Sequence, residues 1–113
     1  MTREPAYQRF EVLSPQGRTV RVEFKKAGFL TAGDQPELFF FRMDSSEVIV
    51  CISGEAMWNW QNSRRYLGRE EKIDLTGLFL KQRIMAGTAL VPENLFLGPA
   101  ELERLLRELG FSS

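Results

Sequence analysis

The chain has 113 residues, 43 % of them hydrophobic and 27 % charged, with 15 Lys+Arg against 15 Asp+Glu, no histidine and one cysteine. A length and balance of this kind describe one ordinary globular domain, which buries about 65 % of its unfolded surface and needs no disulfide or metal staple. Charge neutrality weakens a nucleic-acid reading, which usually rests on a basic excess, and leaves a local basic patch as the alternative, and the missing histidine removes the commonest general base, metal ligand and triad member.

A single cysteine forms no internal disulfide, so a reducing, cytoplasmic location is expected. The polar start, Met1-Thr2-Arg3-Glu4-Pro5, lacks the apolar core of a signal peptide. No apolar run approaches the ~20 residues of a membrane helix, and no membrane partner is expected. Residues 1–6 read as a loose leader to a single domain covering 1–113.

From Gln8 to Leu13 the residues alternate, with Phe10 and Val12 on one face and Arg9 and Glu11 on the other. Ser14-Pro15-Gln16-Gly17 has the chemistry of a type I turn closed by a glycine bulge. Arg18 to Phe24 alternates again, placing Val20, Val22 and Phe24 inward. Together these predict a β-hairpin. Lys25 to Pro36, with Gly28, Gly33 and Asp34, reads as a loop whose apolar pair Phe29-Leu30 tucks against the core, with an exposed contact as the alternative. Glu37 to Met43 is a third strand whose Leu38-Phe39-Phe40-Phe41 run predicts at least partial cover on both faces. The short Asp44-Ser45-Ser46 turn makes the fourth strand, Glu47 to Ile52, antiparallel to it.

Ser53 is placed to cap a helix from Gly54 to about Leu67, ended by Gly68. A second helix is expected from about Arg69 to Ala86. Ile73, Gly77, Leu80 and Ile84 form its stripe and Leu78, Phe79 and Met85 widen it. Asp74-Leu75-Thr76-Gly77 is poor helix material, which leaves a kink or break there as an alternative. Thr88–Val91 and Asn94–Leu97 are each short-strand candidates. A last helix starts at Pro99, buries Leu102, Leu105, Leu106 and Leu109, gains a Glu103–Arg107 pair, and ends at Gly110 with Phe111 folding back. The fold class expected is α+β: an antiparallel sheet of four to six strands with two or three helices packed mainly on one face.

No catalytic constellation, metal spacing or nucleotide-binding glycine fingerprint is present, so the catalytic, metal and cofactor expectations are all none. Cys51, within Val48-Ile49-Val50-Cys51-Ile52, reads as a buried core thiol. Asp44-Ser45-Ser46-Glu47 has a slight likeness to half of the PilZ motif. Ile49 stands where that motif has glycine and the upstream arginine pair is missing, so a polar turn explains it. Trp58 and Trp60 point about 200° apart on a helix. If Trp60 anchors the helix on the sheet, Trp58 lies at the rim beside Asn62 and Arg65, an arrangement suited to a protein interface. A neighbouring element covering Trp58 is the competing explanation.

The order of elements and the segment Cys51-Ile52-Ser53-Gly54-Glu55-Ala56-Met57 resemble family 1488 of the bacterial domains of unknown function. The resemblance covers about the last two-thirds of the chain, through Lys81 to Gly87, Leu90-Val91 and Glu101-Leu102. It implies a bacterial α+β domain and carries no activity.

The leading functional expectation is a non-catalytic cytoplasmic domain acting through protein contacts, with a homodimer as one candidate form and Trp58, Asn62 and Arg65 as contact residues. The first alternative is a small-ligand pocket lined by Phe39, Phe41 and Trp60. The second is nucleic-acid binding through Arg64, Arg65, Arg69 and Trp58, which charge neutrality disfavours.

Overall fold

A computed structural model describes residues 7–29, 36–56 and 68–110. Five strands form one sheet in the order β1-β2-β3-β4-β5, curled into half a barrel. They are β1 (Arg9–Leu13), β2 (Thr19–Phe29), β3 (Glu37–Met43), β4 (Ser46–Ile52) and β5 (Phe96–Leu97). The first four are antiparallel neighbours, and β5 adds to β4 in parallel. Two main helices, α1 (Arg69–Met85) and α2 (Pro99–Glu108), complete the α+β fold.

The first hairpin forms as the alternation predicts. The Gly17 N–H donates to the Ser14 carbonyl at 2.9 Å, and Gly17 takes a φ of 81°. The Ser14 N–H donates across the hairpin to the Arg18 carbonyl at 2.8 Å, closing the bulge. Val12, Val20, Val22 and Phe24 are buried, while Arg9, Glu11 and Arg21 stand on the open side.

Strand β2 does not end at Phe24 as its sequence suggests. The register slips between Phe24 and Lys26, and the strand then continues opposite β3 through Gly28↔Leu38 and Phe29↔Glu37. The bulge absorbs one residue, so the glycine expected to mark a loop sits inside the ladder. Leu30, and the side chain of Phe29, lie outside the described residues.

At the β3–β4 turn, Asp44 has a φ of 54°. Three bonds hold it there. Its N–H donates to the Arg21 carbonyl at 2.9 Å, its Oδ1 accepts from the Arg21 N–H at 3.2 Å, and its Oδ2 accepts from Arg18 at 2.8 Å. Asp44 thus ties the second hairpin to the first.

After β4, the Ser53 hydroxyl accepts from the Ala56 N–H at 3.1 Å, the capping bond expected of it, and residues 54–56 are helical. The rest of the helix expected to Leu67 lies outside the described residues. Gly68 serves as the N-cap of α1, and its N–H donates to Glu71 Oε1 at 2.9 Å.

Helix α1 runs unbroken from Arg69 to Met85, so the break weighed at Asp74–Gly77 does not occur. The tertiary structure supplies the reason for this poor helix material. Asp74 Oδ1 accepts the Tyr7 N–H at 2.9 Å, and a Cβ on Gly77 would lie 2.5 Å from Tyr7 Cβ and 2.6 Å from the Tyr7 carbonyl oxygen. The backbone entering β1 crosses the helix where a side chain is missing. Leu75, Thr76, Phe79 and Leu80 are all 1 % exposed or less, so the middle of α1 is buried on every side and touches both β1 and β4. Met85, expected to widen the buried stripe, is the last residue of the helix and is 55 % exposed.

The helix ends in a Schellman motif. Gly87 has a φ of 72°, its N–H donates to the Ile84 carbonyl at 3.1 Å, and the Thr88 N–H donates to the Arg83 carbonyl at 3.1 Å. Residues 88–91 form no strand, and Pro92–Asn94 is a single 3₁₀ turn. Of the two short-strand candidates, only the second yields one, β5. The Cys51 N–H donates to the Leu95 carbonyl and the Ser53 N–H to the Leu97 carbonyl, both at 2.9 Å. In α2, Leu102, Leu105 and Leu106 are fully buried and Leu109 is half-buried. Arg104 bonds Glu101 at 2.7 Å, Glu108 at 3.0 Å and Gln82 at 3.1 Å, joining α2 to α1. Gly110 takes the left-handed conformation at φ 83°, while Phe111 lies outside the described residues.

Candidate functional site

The two faces of the sheet differ sharply. The inner face is the core. Phe39 and Phe41, the expected pocket lining, are 1 % and 0 % exposed and contact Phe24 with ring centroids 6.4 and 5.5 Å away. Neither lines the clefts described below. Their third expected partner, Trp60, lies outside the described residues, as do Trp58, Asn62, Arg64 and Arg65. Arg69 is described, and its guanidinium lies 5.7 Å from the Phe24 ring centroid.

On the outer face, period-two alternation and register produce four cross-strand rows. The first is Glu11–Arg21 on β1 and β2. The second runs Arg9–Glu23–Arg42–Glu47 through β1, β2, β3 and β4. Its signs alternate plus, minus, plus, minus. The third is Lys26–Phe40–Ile49, and the fourth is Gly28–Leu38–Cys51–Phe96, which reaches β5. One half of the outer face is therefore a checkerboard of charge and the other half is apolar.

In the charged half, Arg9 lies 3.5 Å from Glu23, Arg21 lies 3.5 Å from Glu11, and Lys25 bonds Glu23. The Glu23 carboxyl is held below its ordinary pKa, first by the hydrogen bond and charge of Lys25 and then by Arg9 and Arg42. An open cleft of about 640 Å³ lies here, lined by Arg9, Glu11, Arg21, Glu23, Arg42 and Asp44 among others. Both signs alternate along its walls, so it offers no single-sign field to a charged small molecule. A second cleft of about 380 Å³ lies between the first hairpin and the end of α1, near Ser14, Gln16, Met43, Ile84 and Thr88.

In the apolar half, Phe96 is 49 % exposed and Ile49 is 37 % exposed, while Leu38, Phe40 and Cys51 are half-buried. The Lys26 ammonium stands 5.0 Å from the centroid of the Phe40 ring, a cation–π contact at the margin of the patch. Gly28 leaves a gap in the fourth row. A Cβ built on it meets none of the described residues within 4 Å.

Cys51 is thus not the core thiol its surroundings suggest. Its neighbours Val50 and Ile52 are both 0 % exposed, and alternation turns Cys51 to the outer face between Leu38 and Phe96. Burial among these apolar neighbours pushes its pKa up, which keeps the thiol protonated and poorly nucleophilic at neutral pH. Among the described residues, no group of three or more Cys, Asp or Glu is arranged to hold a metal ion, and no helix is long and apolar enough to cross a membrane.

The sequence signal for this surface was present in part. Ile49 and Cys51 stand out of phase with the inward Val48, Val50 and Ile52, and Leu38 and Phe40 with Phe39 and Phe41. Phe96 joins them only because β5 pairs with β4 in parallel. Compared with protein-family models, curated proteins and solved structures, the chain gives no match in any of the three.

Proposed function

We propose that this domain acts through protein–protein contact, and that the apolar half of the outer sheet face is the contact surface. The observation carrying this reading is the clustering of Leu38, Phe40, Ile49, Cys51 and Phe96 in two adjacent rows, with no described helix over them. A half-covered antiparallel sheet ordinarily shows water a polar face. Apolar side chains gathered on that face and rimmed by charge mark an interaction site. The resemblance to family 1488 implies no activity and does not bear on the choice.

A photo-crosslinking phenylalanine analogue at Ile49, expressed in the cell that makes the protein, tests the reading. An analogue at Glu11, on the charged half, is the control. Covalent adducts to a polypeptide are expected from position 49 and not from position 11. A folded chain that gives no polypeptide adduct from position 49 would refute the reading.

A further inference from the structure

Resting on that reading of the outer face, we infer that its occupant is a second copy of this chain, packed sheet to sheet about a two-fold axis running along the strands between β3 and β4. An isologous contact requires a surface complementary to itself. This surface meets the demand in the central charges of its second row and in the apolar character of its third and fourth.

The two-fold places each row opposite its own reverse. In the second row, Arg42 then faces Glu47 of the other copy, and Glu47 faces Arg42. The alternating signs of the row make both encounters attractive. Both side chains are exposed and point outward beside each other on adjacent strands. In the third row, Phe40 faces Ile49. In the fourth, Leu38 faces Cys51, and the gap at Gly28 faces Phe96, the most protruding apolar side chain of the patch. Among the described residues nothing stands within 4 Å of a Cβ on Gly28, which leaves the place of a side chain for a phenyl ring from the other copy. A whole-chain net charge of zero adds no long-range repulsion between copies.

The area sets the affinity. Two facing positions in the second row, two in the third and four in the fourth, at about 4.8 Å between strands and about 3.4 Å per residue, cover on the order of 260 Å² per copy. Stable dimers bury roughly 800 Å² per partner. Association is therefore weak and concentration-dependent.

Sedimentation from about 10 μM to about 1 mM provides the first test, since a contact this small falls in the weak range. The weight-average mass should climb from 13.0 kDa towards twice that value. Gly28→Leu puts a side chain into the gap, where an added Cβ meets none of the described residues within 4 Å, and Phe96→Arg removes the ring that enters it. Each should return the protein to monomer with its melting temperature nearly unchanged.

The decisive test mixes two charge variants. Arg42→Glu alone places like charges opposite each other in its homodimer, and Glu47→Arg alone does the same. An equimolar mixture restores both attractive pairs. It should dimerise about tenfold more tightly than either variant by itself, as expected for rim charges reversed in pairs. A mixture no tighter than its components overturns the proposed axis. A wild-type chain that stays at 13.0 kDa to about 1 mM overturns the self-contact. In that case, adducts from position 49 to a different protein leave the broader contact reading standing, and no adducts remove both.

Discussion

Replacing Gly77 by alanine sets two physical effects against each other. In an exposed helix interior, glycine to alanine stabilises by about 1 kcal/mol, because the backbone loses less freedom on folding. At Gly77 the added Cβ would stand 2.5 Å from Tyr7 Cβ and 2.6 Å from the Tyr7 carbonyl oxygen. Carbon atoms settle at about 3.5–4.0 Å, so helix and incoming strand must part by roughly 1 Å. Overpacking of this kind costs about 1–3 kcal/mol. The parting also strains the bond from the Tyr7 N–H to Asp74 and the edge-to-face contact of Tyr7 with Phe10, whose centroids are 5.8 Å apart. A hydrogen bond to a charged acceptor is worth about 1.5–3 kcal/mol. The net is a loss of about 2 kcal/mol after the propensity gain is subtracted. For 113 residues the unfolding entropy is about 0.24 kcal/mol per kelvin, so the melting temperature should fall by about 8 °C. Urea or thermal unfolding followed by circular dichroism measures it. Asp74→Ala should destabilise through the same contact, and the double variant should cost less than the sum, since both act on residue 7. A Gly77→Ala protein as stable as the wild type, or more so, would refute the account of why this helix carries glycine.

Two further outcomes follow from the sheet. Asp44→Ala should lower stability by about 1–2 kcal/mol, since it removes two side-chain hydrogen bonds and leaves a β-carbon residue at positive φ; Asp44→Gly should cost less because glycine accepts that backbone, and a larger loss for glycine would contradict the reasoning. The Glu23 carboxyl has a folded pKa below its unfolded value, so its contribution is present above the ordinary glutamate pKa and is lost as pH falls through the folded one. Glu23→Gln should therefore narrow the stability difference between neutral and acid pH, and added salt should shrink that effect, because the group is exposed; a salt-insensitive effect would point to another cause.

How far the fold could be read depended on how local its causes are. The first hairpin was legible because Ser14-Pro15-Gln16-Gly17 and the flanking alternation act within a few residues. The same holds for the Ser53 cap, the glycine at the end of α1, and the leucine stripe of α2. What failed were conclusions that depended on a distant partner. Gly28 read as loop because nothing nearby announces the bulge that returns β2 to register with β3. Cys51 read as core because an unbroken apolar run hides its phase, although Val50 and Ile52 fix it once one face is known to be buried.

Sequence alone determined the class of object: one α+β chain with a hairpin, a strand pair and capped helices, because capping, turn chemistry and periodicity are short-range. It also excluded histidine chemistry outright. Tertiary structure decided the rest. It showed why α1 tolerates Asp74 and Gly77, since only the crossing of Tyr7 gives those residues a task. It brought Phe96 beside Cys51, some 45 residues away along the chain, through one parallel pairing. The outer surface exists because strand register adds apolar residues from β3, β4 and β5 into adjacent rows, and no residue on any one strand carries that information.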